Sequence, residues 1–117
     1  MKTSAAPTVA SASQKIEARF IRKIEQFRND EIRLVMRDRV PSHQVACVNW
    51  EEYPYAPEVT FRIAHSDDAL AVMFEVEEDH LRAVAMSAEE NVWEDSCVEF
   101  FVENPAGEGY FNFEVNC

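Results

Sequence analysis

Apolar and polar side chains alternate residue by residue in four segments of this chain, which constrains its fold more than any other sequence feature. Residues 59–63 carry apolar side chains at the odd positions, and residues 70–77 carry them at the even positions. This period is typical of a β-strand that buries one face. The polar stretch from His65 to Asp68 separates the two segments and predicts a hairpin turn.

The second pair of alternating segments lies at the end of the chain. Val98, Phe100 and Val102 alternate with Glu99 and Phe101, and a similar alternation runs over residues 111–116 after the turn ENPAGEG. We therefore expect a β-hairpin within Val92 to Cys117. Short strands, polar loops and no strand–helix–strand rhythm predict an all-β fold, an antiparallel β-sandwich of jelly-roll or immunoglobulin-like type.

Before the alternating segments, the pattern is helical and basic. Ser13 is a candidate N-cap for an amphipathic helix that ends at Asn29 and Asp30, and its apolar positions are Ile16, Phe20, Ile24 and Phe27. Such a helix either packs on its own domain or binds a membrane or a partner. Short strands are predicted at Ile32–Met36 and Val45–Trp50.

These patterns divide the chain into a disordered tail (1–12), a basic helical or extended lead-in (13–40) and the front part of a sandwich (41–117). A length of 117 residues allows one domain at most. About five strands and a helix do not easily cover both faces of a two-sheet core, so we expect a truncated domain.

The charge excludes whole classes of partner. The chain has 11 basic and 22 acidic residues, a formal net charge of -11. This is too acidic for a protein that binds nucleic acid or an anionic membrane surface. No stretch is long and apolar enough to span a bilayer.

Catalytic motifs are missing from the sequence. There is no nucleophile elbow of the GxSxG type, and the two glycines, Gly107 and Gly109, both lie in the hairpin turn, which excludes phosphate-binding loops. We therefore predict that the chain is not an enzyme.

Calcium is the metal that the sequence favours. Oxygen ligands come together at Glu77, Glu78 and Asp79 and again at Glu94 and Asp95. The alternative is a solvated acidic edge. The cysteines and histidines have no spacing typical of a transition-metal site.

Trp93 is the strongest candidate for a ligand-binding residue, because polar residues precede and follow it. Sugars stack their C–H faces on an indole while their hydroxyl groups bind carboxylates and amides. Such groups follow on the polar sides of the last two strands: Glu99, Asn112, Glu114 and Asn116. The alternative is that Trp93 caps the core and the polar side chains face water.

Three segments resemble the family 9 carbohydrate-binding modules, particularly the stand-alone group of gut bacteria. They are NWEEYPYAPEVTFRIAH, VWEDSCVEFFV and GYFNFEVNC, in the family's order, within Asn49 to Cys117. The resemblance implies a β-sandwich that binds the ends of polysaccharide chains between two tryptophans, often with structural calcium. It also implies a role beside glycoside hydrolases and a location outside the cytoplasm, although no clear signal peptide is present.

By position in these segments, Trp93 matches the family's first stacking tryptophan and Glu99 the acid that binds sugar hydroxyls. The second stacking tryptophan has no counterpart, and Trp50 is not that partner. We therefore predict non-catalytic carbohydrate binding in support of polysaccharide breakdown. Two alternatives stay open: a haem site in which Met73 pairs with His65 or His80, and a structural or interaction fragment without a small ligand.

Overall fold

The computed structural model describes residues 15–45, 51–52, 57–87, 90–92 and 96–116. The chain divides into two compact units, Met1–Glu77 and Glu78–Cys117. Within the described residues, each unit contains one β-sheet, four-stranded in the first and two-stranded in the second.

The sheet of the first unit is built around one central strand. Its strands are β1 (Arg19–Phe20), β2 (His43–Gln44), β3 (Glu58–His65) and β4 (Leu70–Glu77). β4 pairs with β3 in antiparallel fashion along its whole length, from Glu58 opposite Glu77 to His65 opposite Leu70. The short β1, parallel, and β2, antiparallel, also pair with β3. The hairpin predicted from the alternation is confirmed. The strand predicted at Val45–Trp50 lies outside the described residues except for Val45, which follows β2.

Both faces of β3 and β4 carry apolar side chains, whereas the alternation predicts one apolar and one polar face. One face carries apolar side chains, among them Phe61, whose ring centroid lies 6.2 Å from that of Phe74 and 5.5 Å from that of His43. The opposite face carries Ala64 and Met73, which contribute to the core beneath the helix. Both faces of this sheet therefore have apolar patches.

An α-helix lies in the N-terminal part of the chain as expected, but at a different position. The helix α1 spans Asn29–Arg39. The strand predicted at Ile32–Met36 is therefore wrong, and so is the helix predicted to begin at Ser13 and end at Asn29. The described residues of that earlier segment form β1 and a short 3-10 helix at Ile24–Gln26.

Charges and capping explain why α1 forms where it does. The Glu31 carboxylate accepts a hydrogen bond of 2.9 Å from the backbone N–H of Arg28, which satisfies a donor at the start of the helix. Asp30 lies in the first turn and Arg39 in the last, which complements the helix dipole. Met36 is fully buried on the inner side.

The core of the first unit lies between α1, the 3-10 helix and β3. Its buried residues are Ile21, Ile24, Met36, Val40 and Ala64. Burial of these apolar side chains, at about 25 cal/mol per Å² removed from water, is the main force that holds the helix on the sheet.

The second unit is a hairpin of β5 (Cys97–Glu103) and β6 (Tyr110–Asn116), as the sequence predicts for the end of the chain. In its turn, the backbone N–H of Asn104 donates to the Gly109 carbonyl at 3.0 Å, and that of Gly107 donates to the Asn104 carbonyl at 2.8 Å. Strands in two sheets with one short α-helix are consistent with the predicted β-sandwich class. Within the described ranges, no helix has the length and apolar character needed to cross a membrane.

Candidate functional site

The register of β5 and β6 brings four of the five predicted binding residues onto one face of the hairpin. Glu99 lies opposite Glu114, Asn112 opposite Phe101, and Asn116 opposite Cys97. Paired residues in an antiparallel ladder project to the same side, as do residues two apart in a strand. We call this side the polar face; it comprises Cys97, Glu99, Phe101, Glu103, Tyr110, Asn112, Glu114 and Asn116.

Two of the predicted residues orient each other. The Asn112 side-chain amide donates a hydrogen bond of 2.9 Å to the Glu114 carboxylate. Asn112 and Glu99 are exposed, and Glu114 is half-buried. The centre of the polar face therefore presents carboxylate and amide groups, which can accept and donate hydrogen bonds to a ligand with hydroxyl groups.

Asn116 has a different role from its neighbours. Its side-chain amide donates a hydrogen bond of 2.8 Å to the carbonyl of Ala85. Nearby, the Ser96 backbone N–H donates to the Arg82 carbonyl at 2.8 Å, and the Ser96 hydroxyl accepts from the Arg82 N–H at 2.9 Å. Asn116 thus helps to fix the segment before β5, and a contact with ligand stays a prediction.

The predicted stacking residue, Trp93, lies outside the described residues together with Glu94 and Asp95. Its place in the site therefore stays a prediction. The described residues on either side are Val92, which is buried, and Ser96.

An exposed aromatic pair on the polar face was not predicted as part of the site. The rings of Phe101 and Tyr110 have centroids 5.5 Å apart and planes inclined at 55°. The two residues are 55% and 67% exposed. The signal was present in the sequence, because Phe101 occupies a polar-side position two residues after Glu99 and Tyr110 precedes Asn112 by two.

The opposite face of the same hairpin is apolar. It carries Phe111, Phe113 and Val115, each 57% exposed, and the half-buried side chains of the facing strand. Exposed aromatic rings therefore occur on both faces of the hairpin, but the carboxylate and amide side chains of β5 and β6 lie on the polar face.

Neither metal nor haem ligation gains support from the residues that the structure describes. Among them, no group of three Asp, Glu, His or Cys side chains converges on one point, Glu77, Glu78 and Asp79 included. Met73 lies opposite Arg62 on the helix-covered face of the first sheet, whereas His65 projects from the other face. His65 therefore cannot pair with Met73 as a haem ligand.

Comparison with known proteins gives a family and a solved relative. Residues 29–117 match carbohydrate-binding family 9. This match begins 20 residues before the three segments within Asn49 to Cys117 that resemble the family. A crystal structure of a candidate carbohydrate-binding protein from Bacteroides uniformis ATCC 8492 is 38% identical, with a TM-score of 0.76. The match covers 86% of this chain and 46% of that one, so the chain spans less than half the length of this relative. No curated protein matches.

The family match takes in α1 and every strand from β2 to β6, and the solved relative supports the same fold. The chain belongs to carbohydrate-binding family 9.

Proposed function

We propose that this chain is a non-catalytic carbohydrate-binding module in which a sugar ring stacks on Trp93 while Glu99 accepts hydrogen bonds from its hydroxyl groups. The observation that carries the proposal is the gathering of Glu99, Asn112 and Glu114 on one face of the second unit. Family membership supports a sugar as the ligand, and both the family and the solved relative are described by carbohydrate binding rather than by a reaction.

The chemistry of the polar face suits a neutral ligand that is rich in hydroxyl groups. Carboxylates accept hydrogen bonds from hydroxyl groups more strongly than neutral acceptors do. Asn112, held by Glu114, adds an amide that both donates and accepts. An indole next to these groups would bind the C–H face of a pyranose ring.

The expected affinity is low, because the hydrogen bonds are exposed and little surface is buried. One stacked ring and a few such bonds offset little more than the cost of association, so we expect a Kd of roughly 0.1 to 10 mM. Weak binding at a chain end is sufficient for a module that keeps an enzyme close to an insoluble polymer, because linkage raises the effective concentration. A partner glycoside hydrolase and the ends of polysaccharide chains are part of this proposal.

Isothermal titration calorimetry with xylo- and cello-oligosaccharides tests the proposal directly. We expect Trp93→Ala to abolish the heat signal and Glu99→Gln to weaken binding. Trp50→Phe and Glu108→Gln are the matched controls, since Trp50 is not the predicted stacking residue and Glu108 lies in the hairpin turn. The proposal is wrong if the folded chain binds neither class of oligosaccharide, or if Trp93→Ala binds as well as the wild type.

A further inference from the structure

We propose that Phe101 and Tyr110 form a second stacking surface for the sugar, and that the polar face selects neutral pyranosides over anionic ones. This inference rests on the proposed function, because it names further residues and a ligand class for the same face. It is carried by the exposure of the two rings, by their polar neighbours and by the charge of the face.

The two rings form a small aromatic surface that faces outward. Both residues are more than half exposed, and their ring centroids are 5.5 Å apart. Phe111 and Phe113 are exposed to a similar extent, so what distinguishes this pair is its position among carboxylate and amide side chains, the combination that a sugar-binding aromatic surface requires. The tilt of 55° between the rings makes a shallow angled surface rather than a flat stack.

Hydrogen-bonding groups surround this aromatic surface on the same side of the hairpin. Asn112 lies directly opposite Phe101, Glu103 lies directly opposite Tyr110, and Glu99 is two residues from Phe101 along β5. Residues two apart in a strand are separated by about 7 Å. A pyranose ring that rests on Phe101 and Tyr110 therefore has acceptors for its equatorial hydroxyl groups within reach at the ring edges.

The charge of the face determines which sugars fit. Glu99, Glu103 and Glu114 all belong to the polar face, and the second unit has ten acidic residues against one basic residue, Arg82. In a water-like dielectric, each carboxylate about 7 Å from a uronate lowers its affinity by roughly threefold. Several such groups together disfavour uronic acids and sulfated sugars by about tenfold or more, and added salt screens this penalty.

Titrations of the 117-residue chain with xylohexaose test the aromatic surface. We expect Phe101→Ala and Tyr110→Ala each to weaken binding by about three- to tenfold, the usual contribution of an aromatic contact. Phe101→Tyr, which keeps the ring, should bind like the wild type. Phe111→Ala is the matched control, because Phe111 is exposed to nearly the same extent, 57%, but lies on the apolar face.

A second set of titrations compares xylohexaose with an oligogalacturonide at low and at high salt. We expect the anionic sugar to bind at least tenfold more weakly at low salt, with a smaller ratio at high salt. Equal binding of the two sugars, unchanged binding in both alanine variants, or an equal loss in Phe111→Ala each overturns this inference and leaves the proposed function in place. Failure of the wild type to bind any neutral sugar overturns both.

Discussion

Glu99 and Glu114 lie directly opposite each other on β5 and β6, with both side chains on the polar face. Like charges in directly opposed positions destabilise a strand pair. Asn112 donates a hydrogen bond to Glu114, which offsets part of the repulsion on that strand. An arrangement that opposes folding yet suits a ligand is typical of a functional site.

We therefore predict that Glu99→Gln makes the chain more stable while it weakens sugar binding. Loss of the repulsion should raise the free energy of unfolding by about 0.2–1 kcal/mol. Urea denaturation at low ionic strength would measure this gain.

The matched control for this change is Glu103→Gln. Glu103 lies on the same strand and face but opposite Tyr110 rather than an acid. Its substitution should leave stability nearly unchanged. A loss of stability in Glu99→Gln would show that the repulsion between the two carboxylates is not the dominant interaction at this position.

Arg62 of β3 contacts both the neighbouring strand β4 and the residue that follows α1. Its Nη1 atom lies 2.8 Å from Glu75 Oε1, and its Nε donates to the carbonyl of Val40, just after α1, at 3.1 Å. Arg62 is 19% exposed in its side chain, whereas Arg37, which contacts the other oxygen of Glu75 at 3.3 Å, is 51% exposed. Water therefore competes more strongly with Arg37 than with Arg62 for the Glu75 carboxylate.

We predict that Arg62→Met lowers the free energy of unfolding by about 1.5–3 kcal/mol, because hydrogen bonds to a charged group are lost and the Val40 carbonyl loses its donor. Arg37→Met should cost at most about 1 kcal/mol, as exposed ion pairs do. Chemical denaturation of both variants measures the difference. Equal losses in the free energy of unfolding would contradict the prediction that Arg62 stabilises the fold more than Arg37 does.

The strands were predictable because their signal is local. Apolar residues at every second position over five or more residues are typical of β-strands, and this pattern predicts both long hairpins. The same alternation placed Glu99, Asn112, Glu114 and Asn116 on one side. It also placed Phe101 there, although its ring was not recognised as part of the site.

The N-terminal region was mispredicted because tertiary contacts decide its structure. Ile16, Phe20, Ile24 and Phe27 have helical spacing, yet Phe20 pairs with His65 of β3 and Ile24 is buried in the core. Contacts of this kind between distant residues override a local period. The acidic residues at the start of α1 and the basic ones at its end were the better signal, and the hydrogen bond from Arg28 to Glu31 agrees with them.

Glu25 gives the first unit a stability that depends on pH. The hydroxyl of Ser66, a buried residue in the β3–β4 turn, donates a hydrogen bond to the Glu25 carboxylate, and this lowers the pKa of Glu25 below its usual value. The backbone N–H of Glu25 and the charge of Lys23 act in the same direction. Because the pKa of Glu25 is lower in the folded chain than in the unfolded chain, its ionised carboxylate stabilises the fold fully at any pH above the unfolded-state pKa. This stabilisation is lost as the pH falls through the folded-state pKa.

We therefore predict that Glu25→Gln destabilises the chain at neutral pH. Its difference from the wild type should begin to shrink as the pH falls through the ordinary pKa of Glu and should disappear only below the lowered pKa of Glu25 in the folded chain. Thermal unfolding at several pH values gives the two curves. In a Ser66→Ala background, most of the pH-dependent difference should vanish, because the hydroxyl is the main cause of the shift. Parallel curves over the whole acid range would rule out this role for Glu25.

Gly107 and Gly109 set the turn that brings Phe101 and Tyr110 together. Both have positive φ, 79° and 82°, and a Cβ atom added at either would contact nothing within 4 Å. The cost of a substitution there is therefore conformational rather than steric. We predict that Gly107→Ala costs about 1–2 kcal/mol, the usual penalty of a left-handed backbone for an L-residue, and that Gly107→Asn costs less because asparagine tolerates this region.

We expect strain in this turn to weaken sugar binding as well as stability. Asn104 accepts a hydrogen bond from the Gly107 N–H and donates one to the Gly109 carbonyl, so a strained turn weakens the last rungs of the β5–β6 ladder, where Glu103 faces Tyr110. Hydrogen exchange should show faster exchange at residues 102–104 and 109–111 in Gly107→Ala than in Gly107→Asn, together with weaker xylohexaose binding in the former. Equal protection in the two variants would mean that the register is held by the strands alone, through cross-strand pairs such as Phe100 with Phe113.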